Sequence, residues 1–353
     1  MSACACGAGS VTGGCCGPKI GTVGAAWTWS DWLGALSVRL NFGRMNYQVK
    51  AGLYALGNPN AESPVFVTAN YKLSFDHLRR ALHGLDAWLL VLDTHGVNVW
   101  CAAGKGTFST DELVRRIGAT GLAGVVSHRR LILPQLGAVG VAAHRVAEAT
   151  GFTVIYGPVR AADIPAWLKA GRRKDAAMRT VGFSLWDRLV LVPVEIVNGW
   201  KQMLAMTAVA LGLGLLRARG VNATLAGAFA VYLVQLAGAA IAACIVVPLL
   251  LPWLPTRSFS IKGATVGLAL ASALAGFAAA NPGGAFWSVF QGGWAITGAA
   301  IASGAIAAYV GLNFTGATVF TSQSGTMLET RRALPAIGVA AGAGLICQIV
   351  GAF

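Results

Sequence analysis

The sequence predicts an α/β domain with a mostly parallel sheet, followed by an all-α domain of five membrane-spanning helices. Charge supports this division. Residues 1–200 hold 20 Lys/Arg and 12 Asp/Glu, whereas residues 201–353 hold 7 Lys/Arg and a single acid, Glu329. Strand and helix patterns alternate in the first region, and long apolar stretches follow one another in the second. These features exclude a single globular enzyme, a disordered chain and a secreted disulfide scaffold.

The N-terminal segment 1–26 is rich in Gly, Ala and Cys and is expected to be flexible. It has neither a basic start nor a long apolar core, so it does not resemble a signal peptide, and the next domain is expected to stay in the cytoplasm. Four of the seven cysteines lie in this segment, at Cys4, Cys6, Cys15 and Cys16. Their spacing matches neither a disulfide framework nor a common iron–sulfur motif.

The predicted α/β domain covers residues 27–185. Strands are predicted at 64–69, 87–93, 123–127 and 152–157. Helices are predicted at 74–84, 109–118, 137–151 and 161–171. Ser74 is the expected N-cap of the first helix, and Ser109 or Thr110 that of the second. This alternation is typical of a Rossmann-like sheet. Such sheets bind ligands beyond the carboxyl ends of their strands, so the loops after Asp93, Ser127 and Gly157 are the expected binding region.

The C-terminal domain is predicted over residues 199–353. Its apolar stretches, each near the 20 residues that a bilayer requires, are 199–216, 223–251, 263–281, 286–312 and 333–352. The segment 186–198 before them is either a linker, an interfacial helix or the last helix of the soluble domain. Four basic residues fall between the predicted spans: Arg217, Arg219, Arg257 and Lys262. No acid or His lies within a predicted span, which favours an anchor or docking platform over a transporter.

The distribution of basic residues predicts the orientation of the spans. Residues 160–201 carry eight Lys/Arg, which are expected on the inner side of the membrane. The chain is therefore expected to be a multi-pass protein of the cytoplasmic membrane, with its first domain in the cytoplasm and Phe353 outside. Membrane flanks account for the net charge of +14, and no basic and aromatic stripe indicates nucleic-acid binding.

The segment 91–107 follows a predicted strand and carries the most informative motif. Gly104-Lys105-Gly106-Thr107 is not a phosphate loop, because Val99 stands where the motif requires its first glycine. Cys101 could be a catalytic nucleophile, although the sequence shows no third group to orient His95. It could equally be a buried cysteine in a tight turn.

The eight residues Asn98-Val-Trp-Cys-Ala-Ala-Gly-Lys105 resemble the cap-helix motif of the HgcA family, the corrinoid proteins of microbial mercury methylation. Residues 45–185 are also similar to the corrinoid-binding domain that this family shares with the large subunit of the corrinoid iron–sulfur protein. A tail of five spans resembles the HgcA family alone, because the iron–sulfur relative is soluble.

This resemblance implies a corrinoid-dependent methyltransferase that carries a methyl group on cobalt and transfers it to Hg(II). Cys101 is then the lower axial ligand of the cobalt, and a soft thiolate is a strong donor to such a metal. The family also implies a two-cluster ferredoxin-like reductase and a methyl-folate-dependent methyl donor as partners. The four N-terminal cysteines are then candidates for Hg(II) capture, the alternative being a tail with incidental cysteines.

The predicted corrinoid contacts fall into two groups. The motif and its flank contribute Asn98, Val99, Trp100, Cys101, Ala102, Ala103, Gly104, Lys105, Gly106 and Thr107, with small residues that let a macrocycle approach closely. The predicted sheet edge contributes Thr68, Asn70, Asp93, Thr94, Gln135 and Gly157. For each of these six, ordinary turn chemistry is the alternative, and Lys105 could be a solvated surface lysine.

Two other functions stay open at this point. One is a membrane-anchored corrinoid methyl carrier of one-carbon metabolism, in the folate/acetyl-CoA pathway. The other is a non-catalytic membrane protein that binds or transports a corrinoid.

Overall fold

The computed structural model describes residues 20–220, 223–314 and 320–353. They form two compact units, one of residues 20–38 and 43–181 and one of residues 39–42 and 182–353. The four N-terminal cysteines lie outside the described residues.

The first unit contains one six-stranded sheet. Its strands are β1 Ile20–Val23, β2 Gly52–Leu56, β3 Val65–Ala69, β4 Ala87–Leu92, β5 Arg130–Leu133 and β6 Thr153–Tyr156. Its helices are α1 Trp29–Arg39, α2 Lys72–Ala81, α3 Val99–Lys105, α4 Thr110–Ala119, α5 Leu122–Val125, α6 Ala143–Thr150, α7 Ile164–Lys169 and α8 Ala176–Arg179. Short 3-10 turns are Arg44–Asn46, Gln135–Gly137 and Ala161–Asp163.

The strand order is β1-β2-β4-β3-β5-β6. All neighbouring strands are parallel except β2 and β4, which are antiparallel. Strand β4 shows why the sheet interior is continuously apolar: Trp88 and Leu90 pack into the core on one face, while Leu89 and Val91 pack into the core on the other. A strand buried on both faces has no polar side to present. The predicted α/β fold with a mostly parallel sheet is therefore confirmed.

Several predicted elements are corrected. Residues 123–127 are not a strand, because Gly121 adopts a left-handed conformation and begins the helical turn α5. The strand is β5, which pairs with both β3 and β6. The predicted helix 137–151 is shortened to α6, after a 3-10 turn and a loop. Helix α2 begins at Lys72 without a side-chain cap, so Ser74 is not its N-cap.

Two strands have no counterpart in the prediction. Strand β1 falls in the segment 1–26 that composition predicts to be flexible, and it pairs with β2 at the edge of the sheet. Both strands contain glycine and carry only a short apolar pattern. Pairing with neighbouring strands, rather than their own residue preference, therefore defines them.

Within its described residues, the second unit contains five helices that are long and apolar enough to cross a membrane: α11 Trp200–Gly220, α12 Leu225–Leu249, α13 Phe259–Ala280, α15 Gly293–Phe314 and α16 Gln323–Val350. The short helices are α9 Leu185–Leu189, α10 Val192–Asn198 and α14 Ala285–Val289. The predicted all-α domain with five long apolar helices is confirmed.

Small residues allow the long helices to pack closely. A Cβ added at Gly263 of α13 would lie 2.0 Å from the Ala307 carbonyl oxygen of α15, and one at Gly267 would lie 2.1 Å from that of Ser303. No larger residue fits at either position. The small residues of the fourth span therefore serve close helix contact, as membrane helices require.

The ends of the spans differ from the prediction. Arg217 and Lys262 lie inside helix ends rather than between spans, and both are buried. Arg217 donates to the carbonyl oxygens of Ser288 and Gly351, so its charge is satisfied by backbone. Helix α16 begins ten residues before the predicted span, so that Glu329 lies within it. Its 28 residues exceed the length that the hydrocarbon core requires.

Candidate functional site

The motif that carries Cys101 forms a short helix with defined ends. Asn98 is extended, and its side chain accepts a hydrogen bond from the backbone N–H of Cys101 at 3.0 Å. Gly106 ends the helix in a left-handed conformation with φ of 78°. An asparagine N-cap and a left-handed glycine are the residues that favour such helix ends. The local sequence thus specifies helix α3, of seven residues.

Helix α3 has a buried face and an exposed face. Ala102 and Ala103 are buried in the core, and the Ala102 carbonyl oxygen accepts from the backbone N–H groups of Thr107 and Phe108 at 2.9 and 3.1 Å. On the outer side, Cys101 is exposed together with Trp100, Gly104 and Lys105. Ala102 and Ala103 therefore support the helix from below, while the thiol faces outward.

Cys101 is the one exposed cysteine among those in the described ranges. Cys244 is buried and Cys347 is half-buried, both on helices of the second unit. An exposed thiol is available to a ligand. The alternative interpretation of Cys101 as a buried packing residue is therefore wrong.

Helix α3 lies against Gly140 at a distance that only glycine allows. A Cβ at this position would lie 2.1 Å from the Phe108 carbonyl oxygen and 3.1 Å from the Ala103 Cα. Gly140 has no role in the predicted helix 137–151, so this contact was not predicted. The glycine pair Gly137 and Gly140 was the available signal of an irregular segment.

The turn before the motif is organised by Asn70. Its side-chain oxygen accepts from the Thr94 backbone N–H at 3.1 Å, the Thr94 hydroxyl at 2.8 Å and the Gly96 backbone N–H at 2.9 Å. Its amide nitrogen donates to Asp93 at 3.2 Å and to Gln48 at 3.3 Å. Asn70 and Thr94 are both buried. Their polar groups thus hold the turn in place.

Glu112 of α4 supports the same turn and was not predicted. Its carboxylate accepts from the Asp93 backbone N–H at 2.8 Å and also from Arg115 and Arg116. Ser109 caps α4 by accepting from the Glu112 backbone N–H, which confirms one of the two predicted caps. The acidic residue in the first turn was visible in the sequence. Its contact with Asp93, 19 positions earlier, was not.

A cleft of about 330 Å³ lies at the carboxyl ends of β3, β5 and β6. It is mostly apolar, and it brings together five predicted contacts: Thr68, Asn98, Val99, Trp100 and Gly157. Ser74 and His77 of α2 also line it, and no local sequence pattern pointed to them. Because β5 ends at Leu133, residues after 133, rather than residues after Ser127, reach this cleft.

Other predicted contacts lie elsewhere. Asn70 and Asp93 border a separate polar depression with Gln48 and His95. Thr107 and Gly106 lie at the carboxyl end of α3. The structure therefore divides the sixteen predicted contacts into cleft-lining, supporting and helix-end residues and a fourth group on the exposed face of α3, namely Cys101, Gly104 and Lys105.

Lys174 is a further cation at the sheet edge. Its ammonium group donates to the Gln135 side-chain oxygen and lies 3.4 Å from the Gly157 carbonyl oxygen. Burial lowers the pKa of Lys174, and the positive charge of Arg179 lowers it further. Gln135 and Gly157 are thus held together by a lysine that the sequence marks only as one of the eight basic residues in 160–201.

Comparisons with known proteins concern the first unit, which contains the sheet. Residues 39–168 match the family described as CO dehydrogenase/acetyl-CoA synthase delta subunit. The acetyl-CoA decarbonylase/synthase complex subunit gamma of Archaeoglobus fulgidus is 34% identical over 128 residues, covering 36% of this chain and 27% of the relative. The protein of the same name from Methanopyrus kandleri is 33% identical over 124 residues, covering 35% and 26%.

The corrinoid/iron-sulfur protein large subunit of Moorella thermoacetica is 31% identical over 125 residues, covering 35% of this chain and 28% of the relative. The chain thus spans about a quarter of the length of these curated relatives. Its first unit is a domain similar to those of the corrinoid/iron-sulfur large subunits, which confirms the corrinoid-domain part of the predicted resemblance. The five long helices lie outside the matched region.

Proposed function

We propose that this protein is a membrane-held corrinoid methyltransferase that transfers a methyl group from cobalt to Hg(II). The observation that carries the proposal is the exposed thiol of Cys101, presented by a capped helix beside a cleft at the carboxyl edge of the sheet. The similarity of residues 39–168 to corrinoid-protein subunits supports the cofactor. The eight-residue motif Asn98–Lys105 and the five long helices support the particular reaction.

The residues of this region fit a corrinoid. Cys101 offers a soft sulfur donor at an exposed position. The cleft offers apolar walls with a few polar groups, including Thr68 and Asn98. Apolar walls with few polar groups are typical of cofactor sites.

Each group of residues has a separate role in this proposal. Cys101 would supply a sulfur ligand to the cobalt, and Asn98, which accepts from the Cys101 N–H, would hold the backbone at that position. Trp100 offers an exposed aromatic surface beside the cleft, and Gly104 leaves open space on the outer face of α3. When bound, the corrinoid supplies a cobalt-held methyl group, and a thiolate donor favours its departure with the bonding electrons, as a cationic acceptor such as Hg(II) requires.

The proposal includes partners and a location. A ferredoxin-like reductase with two clusters supplies electrons, and a methyl-folate-dependent protein supplies the methyl group. The N-terminal cysteines are candidates for Hg(II) capture, the alternative being a tail with incidental cysteines. The five helices hold the chain in the cytoplasmic membrane with the corrinoid domain inside. A reporter fused after Phe353 is then active only outside the cytoplasm, and one fused at Lys174 only within it; the reverse pattern contradicts the orientation.

A second candidate function is a methyl carrier of one-carbon metabolism. It is favoured by the names of the relatives, which are subunits of an acetyl-CoA decarbonylase/synthase complex. This carrier would use the same corrinoid and the same Cys101 with a different methyl acceptor. The two candidates therefore differ in product and not in site.

Replacement of Cys101 tests both candidates. Membranes with the full chain, a reductant and a methyl-folate donor are given Hg(II), and methylmercury is measured together with the visible spectrum. Cys101→Ala is expected to reduce methylmercury to background and to change the cobalt bands. Cys347→Ala, on α16, is the matched control and is expected to leave both unchanged.

Equal membrane abundance of the two variants excludes a failure of insertion. Full activity in Cys101→Ala contradicts the ligand role. If the visible spectrum depends on Cys101 but the unmodified protein forms no methylmercury, the one-carbon carrier is favoured instead.

A further inference from the structure

Helix α1 has an apolar face that the first unit leaves uncovered. Asp31, Ala35 and Val38 point inward and are buried. Trp29, Trp32, Leu33 and Leu36 point outward, and Trp29 is 81% exposed while Leu33 is 59% exposed. The spacing i, i+3, i+4, i+7 places the four outward side chains on one side of the helix. We call these four residues the α1 surface.

The exposure of the α1 surface does not arise from a loosely attached helix. The buried Asp31 carboxylate accepts from Lys72 at 2.5 Å and from Arg79 at 2.6 Å. Arg79 also donates to the carbonyl oxygens of Gly24 and Ala26 at 2.7 Å. Burial alone would raise the pKa of Asp31, but hydrogen bonds from Lys72, Thr28 and Arg79 hold it well below its usual range. The helix is therefore fixed to the sheet with its apolar side outward.

The charges around the α1 surface are positive. Asp31 is the one acid between residues 20 and 50, and it is buried in ion pairs. Arg44 is exposed near the helix end, and Arg80 lies 5.2 Å from the Trp32 ring and 5.3 Å from the Trp27 ring. Tryptophan with leucine on one side and basic residues at the edge is the pattern of helices that lie in the lipid–water interface.

We infer that the α1 surface binds the headgroup region of an anionic bilayer. Its positive edge complements anionic lipid headgroups. The five long apolar helices in the same chain tether it to a bilayer, which raises the effective lipid concentration. Its four apolar side chains then leave water for the boundary between headgroups and acyl chains. This contact would hold the first unit at the bilayer independently of any cofactor or methyl transfer.

The test uses the full chain in lipid nanodiscs. A fluorescent amino acid replaces Leu33 in one variant and Val139 in another, since Val139 is 83% exposed in a loop of the same unit. The quencher is a phosphatidylglycerol brominated near the headgroup end of its acyl chains. Quenching is expected to be several-fold stronger at position 33 than at position 139. The double variant Arg44→Gln, Arg80→Gln is expected to weaken the quenching at position 33.

Equal quenching at the two positions overturns the inference. The inference is also overturned if the fluorophore at position 33 is shielded from water only after a ferredoxin-like protein is added. The α1 surface would then bind a protein instead of the bilayer. The readout requires neither corrinoid nor Hg(II). A negative result therefore leaves the proposed methyl transfer untouched, and a failure of methyl transfer leaves this inference untouched.

Discussion

Two adjacent turns at the carboxyl edge of the sheet use their polar residues in opposite ways. The turn 93–97 is held by Thr94, which lies in it, and by Asn70, which follows β3. Both residues are buried, and their hydrogen bonds go to the surrounding backbone and side chains. In the motif 98–105, Asn98 closes the helix, and Trp100 and Cys101 remain exposed. The residues of the first turn thus stabilise the structure, and the motif leaves reactive side chains exposed. Residues close in sequence can therefore have unrelated roles. Measurements of stability and of ligand affinity distinguish a supporting residue from a ligand-binding one.

The largest effect on stability is expected at Asn70. Asn70→Ala removes an acceptor of three hydrogen bonds. It leaves buried donors unsatisfied, each costing about 1–3 kcal/mol. We expect the unit to lose about 3–5 kcal/mol in total, since such costs do not add fully. Pulse proteolysis of the full chain in urea measures this loss.

The control for Asn70 is Asn58→Ala, at an exposed asparagine in the loop between β2 and β3. Its stability is expected to change by less than about 0.5 kcal/mol. If both variants unfold at the same urea concentration, Asn70 does not support the turn, and its predicted role as a corrin contact gains weight.

The second effect is expected at Gly140, where α3 approaches the following loop. Gly140→Ala places a Cβ within 2.1 Å of the Phe108 carbonyl oxygen, so the backbone must shift. Overpacking of this kind costs about 1–3 kcal/mol. Hydrogen exchange of the α3 amides is expected to become faster. Gly118→Ala, in α4 with no neighbour within 4 Å of the added Cβ, is the control and should not accelerate exchange.

The elements that the sequence predicts best are those determined by local residue chemistry. The cap at Ser109 follows from side chains within a few residues of each other. The ends of α3 at Asn98 and Gly106 are equally local, but the residue pattern predicted only a turn there, and a cap helix was implied by the resemblance alone. Long apolar stretches likewise predicted the five long helices, because length and composition alone define them.

The sequence predicts poorly those elements and contacts that depend on residues far apart in the chain. Strand β5 begins seven residues after the start of the predicted strand 123–127, since its position depends on pairing with β3 and β6. The hydrogen bonds of Asn70 to Thr94 and Gly96 join residues 24 and 26 positions apart. A local pattern contains no information about such pairs, so Asn70 could not be distinguished from a ligand contact.

A smaller effect is expected at the N-cap of α3. Asn98→Ala removes the acceptor for the Cys101 N–H and should destabilise the helix by about 1 kcal/mol. Corrinoid affinity is then expected to fall several-fold, because the sulfur is less well positioned. Asn98→Asp keeps the acceptor and should restore most of the affinity. Equal loss in both variants would mean that the amide itself contacts the ligand.

The smallest effect on stability, and the most informative about the ligand, is expected at Gly104. It lies inside α3 on the exposed face, and an added Cβ would meet nothing within 4 Å. Gly104→Ala should therefore stabilise the unliganded helix by about 0.5–1 kcal/mol, because alanine loses less backbone entropy than glycine. If a macrocycle lies against this face, the same methyl group must weaken corrinoid binding. Spectroscopic titration with a corrinoid, beside proteolysis of the unliganded chain, separates the two effects. A gain in stability with a several-fold loss of affinity places the ligand on the exposed face of α3. A gain in stability with unchanged corrinoid affinity contradicts a close approach of the macrocycle to the exposed face of α3. The cleft beside Trp100 is then the candidate binding site.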